Sequence, residues 1–153
     1  MKEFDDVIKR ALCEAAGLVV EKTKDYIRVN HHVTGDLENS IRPAVPSFAD
    51  IKTDENGIFI EIYTDGDALI NGNSKTNYAP FVHDGTGLYG PKKEVIRPKK
   101  AKALKTPYGF RKSIKGQKAD PFFEVAFEIN KNEIKDLIGR EIGKSLKLLR
   151  WTK

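Results

Sequence analysis

Four short strings in this chain carry side chains or turns that can do chemistry. His31-His32 and His83-Asp84 offer metal ligands, Asp65-Gly66-Asp67 resembles the start of a calcium loop, and Gly85-Thr86-Gly87 resembles part of a phosphate-binding turn. None has the spacing that its chemistry needs. Adjacent histidines diverge on a helix or a strand, and no regular ligand spacing links them to His83. A calcium loop wants Asp or Asn and then Gly where this chain has Leu69 and Ile70. The glycine turn lacks a third glycine, a Lys-Ser/Thr pair and a strand immediately before it, so it reads as a helix-ending turn followed by a flexible loop. Cys13 falls within an apolar helical pattern, where a cysteine acts as a small buried hydrophobe and is a poor nucleophile. No Gly-x-Ser-x-Gly elbow exists, and the serines and carboxylates form no pattern. The expectation is a protein that is not an enzyme, with no catalytic, cofactor or metal residues to name.

One segment does carry a chemical character. Lys92, Lys93, Arg97, Lys99, Lys100, Lys102, Lys105, Arg111, Lys112, Lys115 and Lys118 face a single acid, Glu94, within residues 92–118, a net charge of +10. The rest of the chain carries 16 bases and 21 acids, a net charge of −5. The basic character therefore belongs to the segment, not to the protein. Such a segment can meet nucleic acid or an acidic surface of a partner subunit, or it can be a solvated loop kept soluble by lysine. Lys and Arg neutralise phosphates without reading bases, and the interleaved Tyr89, Tyr108 and Phe110 can stack on single strands or serve as packing points.

The elements that must position this segment follow from periodicity. Residues 4–28 predict a long amphipathic helix, with Phe4, Ile8, Leu12, Ala15, Leu18 or Val19, and Tyr26 on its inner stripe. Gly17 weakens it and can mark a close approach by another element. Asn30-His31-His32-Val33 reads as a connector. Thr34 is suited to N-cap a helix of about two turns in which Gly35 and Asp36 open the first turn, and Leu37 and Ile41 face inward. Pro43 bounds that helix at Arg42. Asn56-Gly57 signals a hairpin whose second strand, Ile58 to Tyr63, pairs with Ala44 to Thr53. Residues 64–77 read as a loop. Asn77 is placed to cap a short helix from Tyr78 to Asp84, with Pro80 in its first turn and Gly85 as a left-handed stop.

In the basic stretch, about residues 88–118, Pro91, Pro98 and Pro107 prevent a single helix. Ala103 to Thr106 and Phe110 to Ile114 predict a hairpin. Asp120-Pro121 starts a C-terminal helix whose stripe holds Phe122, Phe123, Ala126, Ile134, Leu137, Ile138, Ile142, Leu146 and Leu149, with a kink expected at Asn130-Lys131-Asn132. The fold class is α+β: an antiparallel sheet packed by long N- and C-terminal helices, with two short helices and a basic hairpin or arm, in one domain spanning 1–153.

Length and composition agree with a modest core. The 153 residues suit one domain, and the 39% apolar fraction reaches the usual ~45–50% only when the 12 glycines are added. No apolar run approaches the ~20 residues of a membrane span, and the N-terminus lacks a signal-peptide layout, so no membrane partner is expected. The lone cysteine excludes an internal disulfide and points to folding in a reducing cytoplasm.

Four strings, in order, carry a resemblance. They are Thr34-Gly35-Asp36-Leu37-Glu38-Asn39-Ser40-Ile41, then Tyr78-Ala79-Pro80-Phe81-Val82-His83-Asp84-Gly85-Thr86-Gly87, then Arg97-Pro98-Lys99-Lys100-Ala101-Lys102-Ala103-Leu104, then Ala119-Asp120-Pro121-Phe122-Phe123. The chain resembles the tail-completion or neck proteins of long-tailed bacteriophages and prophages, also described as head–tail connector, minor tail or minor capsid proteins. The resemblance runs from about residue 4 to residue 149.

It implies an α+β virion subunit, made in the bacterial host cytoplasm, that assembles with itself into a ring, usually a hexamer. The ring would sit between the head connector and the tail tube or tail terminator, complete the tail or join it to the head, and let the genome pass. It implies no cofactor and no catalytic residues. A ring needs a heterologous interface, and the basic segment is the candidate subunit-facing or DNA-facing element. The rival class is a basic, non-catalytic nucleic-acid-binding module of a mobile element. An enzyme acting on DNA ends is disfavoured because the sequence has no acidic metal cluster.

Overall fold

The computed structural model describes residues 2–31, 35–71, 76–106 and 109–151. Two helices dominate it, α1 (Lys2–His31) and α5 (Phe122–Trp151). Each has 30 residues and so spans about 45 Å. They run antiparallel and pack along their length: His31 and Tyr26 meet Asp120 just before α5, and Lys22 reaches Glu133 further along it.

The buried stripe of α1 is Val7, Ala11, Ala15, Ala16, Val20, Thr23 and Ile27. The expected stripe is rotated from this by about one residue, and of its members only Ala15 is buried. The reason is steric. Alanines at 11, 15 and 16 allow α5 close approach, since side-chain size sets the interaxial distance. Ile8, Leu12 and Val19 are left half-buried at the sides, and Phe4 is exposed. On α5, Phe122, Ala126 and Ile134 are buried, whereas Leu146 is exposed. The side chain of Leu149 lies outside the described residues.

Two further expectations for these helices are corrected. Helix α1 continues through Asn30 and His31, where the Asn30 amide donates to the Tyr26 carbonyl at 2.9 Å and the His31 ring reaches Asp120. Gly17 meets no approaching element, because nothing lies within 4 Å of where its Cβ would be. Helix α5 is continuous through Asn130-Lys131-Asn132, and the Asn130 side-chain amide donates to the Ala126 carbonyl at 2.8 Å.

The smaller elements gather at the end formed by the second half of α1 and the start of α5. They are α2 (Asp36–Asn39), β1 (Ile41–Arg42), a 3-10 turn at Phe48–Asp50, β2 (Ile51–Asp54), β3 (Gly57–Ile60), β4 (Tyr63–Thr64), α3 (Gly66–Asn71) and α4 (Ala79–His83). Val20, Ile27, Leu37, Ile41, Leu69, Ala79, Val82 and Phe122 form the core there. The fold class is the expected α+β, but the strands form separate two-stranded antiparallel ladders: β1 with β4, β2 with β3, and β5 (Leu104–Thr106) with β6 (Gly109–Arg111).

The expected strand from Ile58 to Tyr63 is split. Ile62 turns against the core, and the chain then changes partner, so that Ile41 pairs with Thr64 and Arg42 with Tyr63. Ile41 therefore belongs to a strand, and α2 is a single turn ending at Asn39. At the β2–β3 turn the Asp54 carboxylate accepts from the Asn56 amide at 2.7 Å, and Gly57 alone takes a positive φ, of 132°. Residues 66–71, expected in a loop, form α3. Its start is capped by Asp65, whose Oδ1 accepts from the amides of Asp67 and Ala68 at 3.0 and 3.1 Å, and Leu69 is fully buried.

Candidate functional site

The basic arm grows from a knot of backbone. Gly85 ends α4 with φ 77°, Gly87 has φ 61°, and Gly116 has φ 97°. The two strands of chain cross so closely that side chains have no room. A Cβ on Gly87 would lie 2.2 Å from the Lys115 carbonyl oxygen, and one on Gly116 would lie 2.1 Å from the Thr86 carbonyl oxygen. The crossing is stitched by hydrogen bonds. The Thr86 amide donates to the Gln117 carbonyl at 2.8 Å, the Gln117 amide donates to the Thr86 hydroxyl at 2.8 Å, and the Leu88 amide donates to the Lys115 carbonyl at 2.7 Å. The loop after Gly85, expected to be flexible, is thus pinned by a glycine clasp. Its amides at Thr86, Leu88, Tyr89 and Gly90 all have protein acceptors, which leaves them no role in holding a phosphate.

Beyond the clasp the arm continues as a ribbon. Ile96 and Ile114 exchange two backbone hydrogen bonds of 3.0 Å, and β5 and β6 then pair through Leu104↔Arg111, Lys105↔Phe110 and Thr106↔Gly109. The expected hairpin is present, and the extensive contacts of each of its strands are with the other. Pro107 and Tyr108 lie outside the described residues.

All the candidate bases on this arm, Lys92, Lys93, Arg97, Lys99, Lys100, Lys102, Lys105, Arg111 and Lys112, are exposed, as are Lys115 and Lys118. Each described ion pair is made elsewhere: Lys22–Glu133, Arg28–Asp25, Arg28–Glu38, Arg42–Asp65, Lys52–Glu61, Lys131–Glu128, Lys144–Glu141 and the histidine pairs. The charge of the arm is therefore not neutralised by described carboxylates of its own chain. Phe110 stands among these bases and is 75% exposed.

The two short motifs build the platform under the clasp. In the first, Gly35 occupies the N-cap position of α2 with φ 78°, and Thr34 lies outside the described residues. Leu37 and Ile41 are buried as expected, and the buried Ser40 hydroxyl donates to the Leu37 carbonyl at 2.7 Å. In the second, the Asn77 side chain accepts from the Ala79 amide at 3.2 Å, and Ala79 is buried. Tyr78 packs against the core from its edge. Phe81, expected as an anchor, is 49% exposed, and Val82 takes the buried place instead. A one-turn helix presents only one face, and Val82 rather than Phe81 lies on the core side.

Pro121 opens α5, with the Val125 amide donating to its carbonyl at 2.9 Å. Phe122 is buried with its ring 5.7 Å from that of His83, edge to face.

The titratable groups serve this platform. His83 sits between two carboxylates, with Nδ1 2.7 Å from Asp84 and Nε2 3.0 Å from Glu124. The bond to Asp84 raises the imidazole pKa, partial burial opposes the rise, and Glu124 adds to it. His31 lies 2.7 Å from Asp120, whose two oxygens also accept from the Tyr26 hydroxyl at 3.1 Å. Burial, and then the bond to Asp120, raise the Tyr26 pKa. Cys13, expected to be buried, is half-buried; that partial burial, then Asp50 and Glu14, push its thiol up, which keeps it protonated at neutral pH. This triad of Tyr26, His31 and Asp120 ties α1 to the start of α5 across about ninety residues of chain, a pairing with no local signal. Among the described residues no group of three or more His, Cys, Asp or Glu is arranged to hold a metal ion, and His32 lies outside them.

One open apolar groove of about 430 Å³ lies beside the platform, lined by Val19 from α1, Ile62 from the β3–β4 link, and Phe123, Glu124, Phe127 and Glu128 from α5. Comparison with protein-family models, with curated proteins and with solved structures gives no match for the chain.

Proposed function

We propose that the chain is a structural subunit of a phage or prophage virion, of the tail-completion or neck type, that assembles into a ring at the head–tail interface and lets DNA pass. The observation that carries this reading is the separation of charge. An arm of net +10, with every base exposed and unpaired among the described residues, is held by a hydrogen-bonded clasp on a body of net −5. Opposite charges on separate parts of one chain suit a head-to-tail interface between copies, the kind that closes a ring. Partners would be further copies in a hexameric ring, the tail tube or tail terminator, and the head connector. No described helix is long and apolar enough to cross a membrane.

Charge reversal at Lys99, Lys100 and Lys102 tests the proposal. It should abolish ring assembly on tails and lower particle infectivity. Rings and infectivity at unreversed levels would overturn the role given to the arm, and a chain that is absent from assembled particles and forms no ring on tails would overturn the proposal.

A second reading, a basic nucleic-acid-binding module, is favoured by one observation: Phe110 and Tyr89 are exposed among the bases. It requires the isolated protein to bind DNA or RNA with an affinity falling steeply with salt, the log–log slope being about −0.9 per phosphate neutralised on duplex DNA. Affinity that is weak at low salt would exclude it.

A further inference from the structure

The arm and the groove are complementary. The arm offers an exposed aromatic ring, Phe110, whose cross-strand partner is Lys105 and whose chain neighbour is Arg111. The groove offers aliphatic and aromatic walls from Val19, Ile62, Phe123 and Phe127, with two exposed carboxylates, Glu124 and Glu128, on the α5 side. The groove is open, with a volume of about 430 Å³, and a phenylalanine side chain is among the largest apolar loads a protein surface can bury. No described residue of the arm lines the groove in its own chain. The existing partners of the two carboxylates are half-buried, while the carboxylates themselves are exposed: Glu128 pairs with Lys131 three residues away, and Glu124 with His83. Both can turn to an incoming cation.

We propose that the hairpin of one copy docks on a second copy, with Phe110 entering the groove between Val19, Ile62, Phe123 and Phe127, and Lys105 and Arg111 meeting Glu124 and Glu128. This deepens the ring reading and rests on it, because it names the two surfaces that meet. The interface is heterologous: knob and groove are different parts of the chain, so each copy can receive one arm and give another. An apolar anchor in a pocket, surrounded by charges at the rim, is the arrangement in which a few residues hold most of the association energy.

The experiment uses full-length protein. Phe110 is replaced by a photo-crosslinking phenylalanine analogue, and the protein is concentrated until self-association is seen by light scattering. Irradiation should join position 110 to groove residues of another copy, identified by mass spectrometry. Phe110→Ala should weaken association about thirtyfold or more. Glu124→Lys with Glu128→Lys should weaken it too, and combining these with Lys105→Glu and Arg111→Glu should restore it.

The decisive mixture is Phe110→Ala chains with Glu124→Lys/Glu128→Lys chains. Each alone should stay monomeric, and together they should form a dimer that cannot grow, because one intact groove meets one intact arm. Circular dichroism of each variant confirms that it is folded. No self-association up to the solubility limit, cross-links that map away from the groove, or a mixture that stays monomeric would each overturn the docking. Self-association with cross-links elsewhere leaves the ring reading standing. Cross-links in the groove together with a chain that is absent from assembled phage particles would leave the docking standing and remove the virion reading.

Discussion

Gly116 and Gly109 have nearly the same φ and opposite surroundings, which makes them a controlled pair. Their φ values are 97° and 102°. A Cβ on Gly109 would meet nothing within 4 Å, while one on Gly116 would lie 2.1 Å from the Thr86 carbonyl oxygen and 2.8 Å from the Gly87 nitrogen. Alanine at either place incurs the strain of a positive φ, of order 1–3 kcal/mol. At Gly109 the strain falls on a hairpin that rests on itself, so local opening relieves it, and the cost in global unfolding should stay below ~1 kcal/mol.

At Gly116 the neighbour is backbone and cannot rotate away. To restore ordinary contact, the two crossing segments must part by more than about 1 Å. The stitches of 2.7–2.8 Å at Thr86, Leu88 and Gln117 would then exceed hydrogen-bonding distance. Losing them costs ~1 kcal/mol each, or ~3 kcal/mol together. If the clasp instead holds, the overlap itself costs ~1–3 kcal/mol. Either route predicts that Gly116→Ala is at least ~1 kcal/mol worse than Gly109→Ala. Urea unfolding followed by circular dichroism measures this, and hydrogen exchange at the Leu88 and Gln117 amides shows which route is taken. Equal costs within ~0.5 kcal/mol would refute the close crossing as the reason for these glycines.

Three further outcomes follow from the packing and the charges. Thr23 is fully buried and its hydroxyl has no partner among the described residues, so Thr23→Val should stabilise by ~1 kcal/mol in thermal or urea unfolding, and a loss of stability would show that the hydroxyl is satisfied. Leu37→Ala should cost ~2–5 kcal/mol because Leu37 is 3% exposed in the core, whereas a cost below ~0.5 kcal/mol would mark a surface position. The His83 pKa is raised above 6.5 in the folded chain. Its charged form therefore contributes stability that is full below about pH 6.5 and is lost as pH rises through the raised value. Comparing His83→Gln with the parent across that window should show the difference shrinking with rising pH, and a difference that grows instead would refute the two-carboxylate clamp.

Much of the local order was legible. Asn77, Pro80 and Gly85 marked α4 because each satisfies a backbone need at its own position, and those needs are local. Pro107-Tyr108-Gly109 between two short β-prone runs gave the hairpin for the same reason. The long helices were visible by length, but the inner face of α1 was not. Two apolar stripes lie side by side on it, and periodicity favours the one with larger residues, whereas packing selected the alanines that let α5 come near. Residues 66–71 looked like loop because Gly66 and Asp67 are polar and small. Only the place waiting for Leu69 in the core turned them into a helix.

The amino-acid pattern by itself determined the segregated charge and the positions of most of the turns. These depend on composition and on neighbours in the chain. Tertiary structure alone decided why Gly87 and Gly116 are glycines. The answer lies about thirty residues away along the chain, where one backbone crosses another too closely for a Cβ. It likewise decided that Asp120 bonds Tyr26 and His31 rather than capping α5, and that Phe123 and Phe127 join Val19 and Ile62 in one groove. Those contacts join segments whose separation in sequence carries no signal, because close packing is settled by which surfaces fit once all the elements have formed.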